Sequence, residues 1–522
     1  MLHTSTVLVR VVSVTILLFA FGLSVYRAKT QTIAHDEALT YEWFLDQGVE
    51  HVLHYNPANH VLQTLLAKPI VKVLGVSEFT LRLATLFGTA VYLASVYLLC
   101  RQLFGEGLVF VLTVAMLALN PLAIDFMAAA RGYSLSLAGL TVAMYLFARL
   151  TARGELDVRD KEWRWGCSIA SASLALSITA NFTNIVPAAC LAVLFGVEAL
   201  GGPTALRRFR DRRLMDFAKY FLFPGAATGF CILWPYLIQA RLVQSTIHLQ
   251  SASAALRDIF TASFLYRWSD DLLNDLGAVT PAPGSWQARV TDLGIYLLLP
   301  LLFGLALLGV ALALRSKGAE RSAQIISCRV FAGAAAGSVV MTQVLHLVTK
   351  IDYPNSRYCM FLIPLFTIGG TLAAREVSLR WPWSLLKGFG LLVAALIVFD
   401  YALSLNTKYF RYNAYDVISL DLFRTLEKDA RWRGLTIARV GGTWWYEPEV
   451  NFYRLRYRAD WLLPYDIKDR SYFWETPNSL VPNDYDYFVF IPASDPGLNG
   501  PRVRVIFHDD RTQVTVVAIA RR

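Results

Sequence analysis

The sequence HDEALTYEW occupies residues 35–43 and closely follows a first apolar segment at residues 7–26. Carboxylates beside a membrane-spanning helix are costly if they enter lipid, so the pair Asp36 and Glu37 indicates either a solvated loop or a functional site. An acidic pair is also typical of a helix start, and Asp36 could cap an amphipathic run that begins at Leu39. The context in the rest of the chain favours a functional site.

The composition is that of a polytopic membrane protein. Of the 522 residues, 55% are hydrophobic and 17% are charged, and the mean hydropathy is +0.43. That is too apolar for a soluble enzyme of this length. The net charge of +10 comes from Lys and Arg residues in short loops between apolar segments, so we predict no nucleic-acid partner. The six cysteines lack the spacing of metal ligands or disulfides, which predicts that they pack as small apolar residues.

About eleven apolar segments come near the roughly 20 residues needed to cross a bilayer. They are residues 7–26, 80–100, 107–124, 133–150, 165–181, 183–200, 217–239, 291–314, 325–348, 358–374 and 386–404. A cleaved signal peptide is the alternative for the first segment, but no convincing small-residue cleavage site precedes Arg27, and we predict an uncleaved helix.

The loop charges predict the orientation of these segments. Lys and Arg residues cluster in alternate loops, at 149–164, 207–213, 315–321 and 375–387. By the positive-inside rule these loops and the N-terminus are cytoplasmic. The first outer loop (28–79), the 240–290 loop and everything beyond residue 405 are then extracytoplasmic, and we predict a multi-pass protein of the plasma (inner) membrane.

Two further regions have a recognisable pattern. Residues 61–74 carry apolar side chains at helical spacing, with Lys68 and Lys72 elsewhere, which predicts an amphipathic helix in the membrane interface. Residues 406–522 are polar throughout and predict a small extracytoplasmic α/β domain, distinct from a transmembrane domain at 1–405. Its helix is predicted at 417–431, and its strands at 435–440, 487–491, 503–507 and 514–519.

Two short motifs of the C-terminal domain leave alternatives open. Trp444-Trp445-Tyr446 could stack on a sugar, or could belong to a membrane-interface belt or a core. Gly441-Gly442 follows a predicted strand but lacks the rest of a dinucleotide-binding fingerprint, so it predicts a turn.

Charged residues recur at the outer ends of predicted spans. The 125–133 connection holds Asp125 and Arg131, and the 349–357 loop holds Lys350 and Arg357. Such residues can simply snorkel toward lipid headgroups. Outer-loop cations are less expected than inner ones, however, and here they lie opposite a carboxylate-rich loop, which favours a phosphate-binding pocket. Their spacing in the sequence does not show whether they meet Asp36 in space.

These motifs resemble those of the GT-C superfamily of membrane glycosyltransferases, and within it the protein O-mannosyltransferase-like branch that includes lipid A aminoarabinose transferases. The resemblance covers roughly residues 1–405. Its three motifs are His35-Asp36-Glu37-Ala38 with Tyr41, Pro121 through Asp125 to Arg131-Gly132-Tyr133-Ser134-Leu135, and Asn355-Ser356-Arg357-Tyr358 leading into Phe361-Leu362-Ile363-Pro364.

The resemblance implies a GT-C-like fold and a transferase activity. The enzyme would move a hexosyl or pentosyl group from a polyprenyl-phosphate donor to a glycan, lipid or protein acceptor on the outer face of the membrane. Membrane lipids are its other expected partners. A transporter or flippase of lipid-linked sugars is the alternative, although the absence of a clear internal repeat and the position of the charges at span ends favour the enzyme. A scaffold with its function in the C-terminal domain is a further alternative.

The resemblance also implies a role for individual residues. Asp36 is the expected catalytic base, with Glu37 in support. The expected ligands of the lipid phosphate are Arg131, Tyr133, Lys350, Arg357 and Tyr358. Further expected contacts of the acceptor or the sugar are His35, Tyr41 and His60. Relatives often carry an acidic residue two positions before the motif arginine, where this chain has Ala129.

The chemistry of such a donor needs one main carboxylate. A polyprenyl-phosphate leaving group is already acidic, so it needs positive charge more than a proton. Asp36 would take the proton of the acceptor as it attacks the anomeric carbon from the opposite face, which inverts the configuration. The scattered histidines and carboxylates of the first loop match no recognised metal spacing, and we predict neither a metal nor another cofactor.

Overall fold

The computed structural model describes residues 2–52, 59–153, 160–200, 212–239, 304, 307–309, 311, 323–349, 353–354, 356–380, 384–465, 485–491 and 501–520. The predicted outer loop at 240–290, most of the predicted span at 291–314, and Lys350 lie outside these residues.

Helices dominate the described chain up to residue 404. In the first third they are α1 (Leu2–Thr30), α2 (His35–Thr40), α3 (Val49–Val52), α4 (Val61–Leu74), α5 (Glu78–Phe104), α6 (Leu108–Ala118), α7 (Pro121–Ala128) and α8 (Tyr133–Thr151). They continue with α9 (Lys161–Ala180), α10 (Ile185–Ala199), α11 (Arg212–Phe217), α12 (Phe223–Gln239), α13 (Ala323–Thr349), α14 (Leu362–Arg380) and α15 (Ser384–Ser404). A π-helical turn, Tyr41–Leu45, extends α2.

Eight helices in the described residues are long and apolar enough to cross a membrane. The pair α6 and α7, bent by 54°, gives a ninth if it is one span. The bend falls where Asn120 caps α7, its side chain accepting a bond of 3.1 Å from the Ala123 N–H, and where Pro121 begins the new helix. The predicted architecture, a polytopic helical membrane protein with a small C-terminal sheet, is confirmed.

These nine spans correspond to nine of the predicted segments, and the two others differ. Residues 165–181 do form a helix, α9, but it is not among the helices apolar enough to count as a span. Its residues include four serines and a charged first turn, which lowers its hydropathy. The predicted span at 291–314 is the one that lies mostly outside the described residues.

Small residues allow close packing between the membrane helices. At Gly139 of α8, an added Cβ would lie 2.5 Å from the carbonyl oxygen of Ser173 in α9. Next to this contact, the hydroxyl of Ser177 donates to the carbonyl of Ser136 at 2.7 Å. Small residues and hydrogen-bonded hydroxyls are typical of helix contacts in membranes, where burial of apolar surface gives little drive for association.

Helix α4 is the amphipathic helix predicted at 61–74. It buries Gln63 and Thr64 against the protein, while Val73 and Leu74 are exposed. Its Lys68 ammonium donates bonds of 3.0 Å to the carbonyls of Phe44 and Leu45. These carbonyls belong to the end of the π-helical turn, so Lys68 satisfies acceptors that a helix terminus leaves open. The exposed apolar residues form a surface suited to lipid contact.

The C-terminal residues form a small sheet flanked by helices. Its strands are β1 (Val440–Gly442), β2 (Tyr487–Phe490), β3 (Val503–Asp509) and β4 (Val514–Ile519), in the order β1-β2-β4-β3. Strand β1 pairs with β2 in parallel, and the other pairs are antiparallel. The helices are α16 (Ser419–Trp432) and α17 (Glu447–Arg456). The helix predicted at 417–431 and the last three predicted strands are therefore present.

The first strand and the turn predicted after it were placed wrongly. Residues 435–440 are not a continuous strand, and the pairing with β2 runs over Val440–Gly442 instead. Gly441 and Gly442 are thus part of β1 rather than a turn. Gly442 has a φ of 140°, and an added Cβ there would lie 1.9 Å from the Val489 carbonyl oxygen. Glycine at this position permits a close approach of the two backbones.

The C-terminal domain packs directly on the first outer loop. One apolar cluster contains Ile33 and Ala38 together with Phe423 and Tyr453 of α16 and α17. The Tyr453 hydroxyl also accepts a hydrogen bond of 3.1 Å from the Ile33 N–H. An ion pair between Arg456 and Glu78, the first residue of α5, further connects α17 to the membrane helices. The start of α2 is therefore held between the membrane helices and the C-terminal domain.

Candidate active site

Helix α2 orients the two acidic residues of the first loop differently. Glu37 reaches back to the N–H of Ala34, the residue before the helix, and accepts a bond of 2.9 Å. This is the glutamate half of a capping box, so Glu37 rather than Asp36 caps the helix. Because successive helical residues point about 100° apart, Asp36 faces away from the partners of Glu37.

Glu37 is buried in a network of hydrogen bonds. Its Oε1 accepts from Nε of Arg82 at 2.9 Å, and its Oε2 accepts from Nη2 of Arg82 at 2.5 Å. The N–H of Ala130 donates to Oε1 as well. Arg82, itself fully buried in α5, also donates to the carbonyls of Ala28, Gln31 and Thr32. Glu37 therefore links the start of α2 to α5 and to the connection before Arg131.

Asp36 meets two arginines that come from distant parts of the sequence. Its Oδ2 lies 2.7 Å from Nη1 of Arg357 and 3.5 Å from Nη2 of Arg131. Nη1 of Arg131 also donates to the backbone carbonyl of Asp36 at 3.3 Å. The Asp36 side chain is 23% exposed, whereas those of Arg131 and Arg357 are 6% and 13% exposed. The structure thus brings together three residues whose meeting the sequence left open.

The charges of the arginines keep Asp36 ionised. Burial on its own would raise the pKa of the Asp36 carboxyl, but Arg131 and Arg357 outweigh it and hold the pKa well below its usual range. Nε of Arg131 is buried and has no hydrogen-bond partner among the described residues. The site therefore contains one carboxylate, two guanidinium groups and unused donor capacity on Arg131, a combination suited to an anion.

His60 lies beside this cluster as a neutral imidazole. Its Nδ1 donates to the carbonyl of Ala180 at 2.8 Å, so Nδ1 carries the proton and Nε2 is an acceptor. Burial, together with the charge of Arg131, lowers the pKa of His60 to about 3. An added Cβ at Gly132 would lie 2.0 Å from the Ala180 carbonyl oxygen. Glycine at this position therefore leaves room for the contact between His60 and Ala180.

Two tyrosines expected at the phosphate site lie nearby. The ring of Tyr133 is centred 4.9 Å from that of His60 and 6.4 Å from that of Tyr358. The Tyr133 hydroxyl is buried, with no hydrogen-bond partner in the described part of the chain. The guanidinium of Arg357 lies 5.2 Å from the centre of the Tyr358 ring, a cation–π distance that helps to fix the arginine.

His35 and Tyr41 face the C-terminal domain. Nδ1 of His35 lies 2.9 Å from Oε1 of Glu449, and the His35 N–H donates to Oδ2 of Asp416 at 2.5 Å. Tyr41 packs edge-on against Phe452, with ring centres 5.5 Å apart. The structure gives both residues a place in an interdomain contact, and their expected role toward the acceptor or sugar stays a prediction.

The tryptophans of the motif at 444–446 lie against His35. Trp444 and Trp445 stack on each other with ring centres 4.7 Å apart, and Trp444 meets His35 edge-on at 5.1 Å. Both tryptophans are partly buried, and Tyr446 is fully buried in the core of the C-terminal domain. The motif is thus divided between a core residue and an aromatic edge close to α2.

A second buried ion pair lies behind Asp36. Nη2 of Arg27 contacts Oδ1 of Asp125 at 2.5 Å, and both side chains are almost fully buried. A small pocket connects Asp125 of this pair with the site and is lined by Ala34, Asp36, Glu37, Asp125, Phe126, Ala129, Arg131 and Phe410. Asp125 lies one helical turn before Ala129, so a carboxylate besides Asp36 and Glu37 lines the pocket although residue 129 is not acidic.

The residues that sequence reasoning missed are charged side chains inside or beside spans. Arg82 falls within the segment predicted at 80–100, and an ionisable residue in a span is by itself a signal of a structured site. Arg27 directly follows the apolar segment predicted at 7–26, and nothing in the sequence indicates its partner. Asp416 and Glu449 gave no signal, because their importance comes from a partner in another domain. Among the described residues, no group of three or more His, Cys, Asp or Glu side chains could hold a metal ion.

Comparison with known proteins gives likenesses of fold. No family model and no curated protein matches the sequence. The structure is similar to that of ArnT from Cupriavidus metallidurans in the apo state, at 12% identity over 97% of each chain, with a TM-score of 0.43. It is also similar to the Archaeoglobus fulgidus oligosaccharyltransferase in complex with Zn and sulfate, at 12% identity, with a TM-score of 0.43 and coverage of 91% of this chain and 68% of that chain. Likenesses of this size assign no substrate and no residue role.

The buried contact between Glu37 and Arg82 predicts a large loss of stability when one partner is removed. We expect Arg82→Leu to lower the free energy of unfolding by about 3–5 kcal/mol, because it leaves a buried carboxylate unpaired. The measurement is the thermal unfolding midpoint of the purified protein in detergent. Arg10→Leu is the control, since it breaks an exposed pair with Glu106 and should have a much smaller effect. Equal midpoint shifts in the two variants would contradict the prediction.

The pair Asp416 and Glu449 predicts a pH-dependent stability. Burial raises the pKa of each carboxyl well above its usual range. The unfolded chain therefore binds fewer protons than the folded one above a pH of about 4, and stability falls as the pH rises toward the folded pKa.

Replacing both carboxyls by amides should remove this dependence. We expect the unfolding midpoint of Asp416→Asn/Glu449→Gln to fall less than that of the wild type between a pH of about 5 and 8. Asp510→Asn is the control, because the Asp510 side chain is 96% exposed. If the wild type and the double variant show the same slope, the two carboxyls do not bind extra protons in the folded state.

Proposed function

We propose that the protein is a membrane glycosyltransferase that moves a sugar from a polyprenyl-phosphate donor to an acceptor on the extracytoplasmic side. The observation that carries the proposal is the convergence of two largely buried arginines, Arg131 and Arg357, on the carboxylate of Asp36. The motifs of the sequence support it, because these are the positions to which the resemblance assigns the lipid phosphate and the base.

In this proposal the arginines bind the phosphate of the donor and stabilise it as it leaves. A guanidinium group offers planar pairs of N–H donors that match phosphate oxygens, and such charge-assisted bonds are strong where water is scarce. The leaving group is a phosphate oxygen that carries negative charge without needing a proton. Tyr133 and Tyr358 border the same site, and Lys350 is retained as a further ligand from the sequence motif.

Asp36 acts as the base in the same proposal. A hydroxyl or amine of the acceptor attacks the anomeric carbon from the face opposite the phosphate, and its proton passes to Asp36. The new bond to the acceptor forms as the bond between the anomeric carbon and the phosphate oxygen breaks. The products are the glycosylated acceptor, with inverted anomeric configuration, and the polyprenyl phosphate.

Glu37 supports the reaction by positioning rather than by contact with substrate. Its hydrogen bonds with Arg82, Ala34 and Ala130 fix both α2 and the connection that carries Arg131. Helix α4 supplies the surface for the prenyl tail, because its exposed Val73 and Leu74 are apolar. The acceptor is a glycan, a lipid or a protein, and the sugar is a hexosyl or pentosyl group, as in mannosyltransferase-like enzymes.

The test is sugar transfer by the purified protein in nanodiscs, with a panel of labelled polyprenyl-phosphate sugars and with water included as an acceptor. We expect wild-type release or transfer of sugar, and a loss of about a hundredfold or more in Asp36→Asn and in Arg131→Ala. Glu50→Gln and Arg153→Ala are matched controls, because both change exposed side chains and should keep full activity.

The outcomes separate the enzyme from a transporter. If Asp36→Asn folds normally and keeps full activity, Asp36 is not the base. If no donor is consumed but a lipid-linked sugar crosses the bilayer of proteoliposomes, the protein is a transporter and the proposal fails.

The proposal places the site outside the cytoplasm. It assumes a plasma (inner) membrane protein with a cytoplasmic N-terminus, a transmembrane domain at 1–405 and an extracytoplasmic domain at 406–522. We therefore expect a membrane-impermeant maleimide, added to intact spheroplasts, to label Arg424→Cys but not Arg153→Cys. Both positions are exposed in the structure, and the unsubstituted protein is the background control. Labelling at residue 153 but not at residue 424 would show that the orientation in the membrane is the opposite of the proposed one.

A further inference from the structure

The two arginines of the site contact the same side-chain oxygen of Asp36. Oδ2 of Asp36 is the oxygen that faces both Nη1 of Arg357 and Nη2 of Arg131. A phosphate that is held by the same N–H groups must compete with this oxygen. In the structure, therefore, the carboxylate proposed as the base also occupies the place proposed for the anion.

We propose that Asp36 is an internal counter-anion, which the phosphate of the donor displaces from Arg131 and Arg357, so that the base is released only when the donor is bound. This inference rests on the proposed function, because it takes a lipid phosphate as the ligand. It adds an order to the reaction: the donor must bind before Asp36 can accept a proton from the acceptor.

The charge balance of the cluster favours the arrival of a phosphate. Asp36 carries one negative charge against the two positive charges of Arg131 and Arg357, which leaves an excess of one positive charge. Glu37 does not change this balance, because Arg82 pairs with it. A phosphodiester carries one negative charge, so its arrival makes the cluster neutral without the loss of Asp36 from the site.

Displacement would also make Asp36 a better base. While the arginines face the carboxylate, their charges hold its pKa well below the usual range. When a phosphate takes these charges, the pKa of Asp36 rises and the carboxylate accepts protons more readily. Among the described residues, the other titratable groups that interact with Asp36 include His35, His60, Tyr133 and Glu449.

The structure gives Asp36 room to move. Its side chain is the most exposed of the three, at 23%, whereas Arg131 is held by a bond to the Asp36 backbone carbonyl and Arg357 by its contact with Tyr358. The arginines are thus more firmly placed than the carboxylate. A rotation of the Asp36 side chain would open their N–H groups without a change in the backbone.

The experiment measures the affinity of undecaprenyl phosphate for the protein in nanodiscs. We expect Asp36→Asn to bind roughly tenfold tighter than the wild type, since removal of the carboxylate removes both a competitor and a like charge. Asp36→Glu retains the charge and should bind no more tightly than the wild type. Undecaprenol, which lacks the phosphate, should bind equally to all three, and inorganic phosphate reports on the headgroup alone.

Thermal unfolding midpoints show whether each variant folds. If Asp36→Asn does not fold, Asp36→Ser takes its place as the neutral variant. If the wild type binds undecaprenyl phosphate and the neutral variant binds it equally or more weakly, Asp36 does not compete with the phosphate and the inference is overturned. If the wild type binds undecaprenyl phosphate no better than undecaprenol, the proposed function itself fails. Tighter binding by the neutral variant together with loss of sugar transfer supports both.

Discussion

The carboxylate of Glu37 links three segments of the chain that together form the site. It caps α2 through the Ala34 N–H, binds Arg82 of α5 and accepts from the Ala130 N–H before Arg131. A buried ion pair on its own is weak evidence for stability, because desolvation costs about as much as the attraction returns. Here, however, backbone donors share the carboxylate, so that its lone pairs are used and the pair fixes a geometry.

The different environments of Asp36 and Glu37 follow from the geometry of the helix in which both lie. Neighbouring residues of a helix point in different directions, so one carboxylate turns into the protein while the other faces the arginines. Glu37 is fully buried and has four donors, whereas Asp36 keeps partial exposure and shares one oxygen between two arginines. A carboxylate whose hydrogen bonds are all made within the protein, such as Glu37, suits a fixed structural role. A carboxylate that can exchange its partners, such as Asp36, suits a role in the reaction.

The sequence predicted what depends on local pattern, and it left open what depends on tertiary contact. Apolar length predicted nine spans that the described residues show and one, at 165–181, that they do not. Periodicity predicted α4, α16 and three strands. The meeting of Asp36 with Arg357 was not predictable from spacing, because 321 positions separate them. The strand at Val440–Gly442 was missed since glycines usually mark turns, and only the parallel neighbour β2 gives them a strand conformation.

The membrane helices also carry charged residues whose partners could not be read from the sequence. Arg27 and Asp125 neutralise each other across 98 positions, at 2.5 Å. Arg82 lies in a predicted span, where its presence signals a site but does not identify Glu37 as its partner. In each case the composition of a segment shows that a charge must be compensated, whereas the fold decides which opposite charge does so.

The C-terminal domain takes part in building the site, although the proposed chemistry lies among the membrane loops. Helix α2 has six residues, and a helix of this length is not stable alone because its nucleation cost is not recovered. Its first residue, His35, is held through its backbone by Asp416 and through its ring by Glu449. Asp36 follows directly, so its direction depends on contacts that come from residues more than 380 positions away. The polar network at this interface therefore helps to set the orientation of the proposed base.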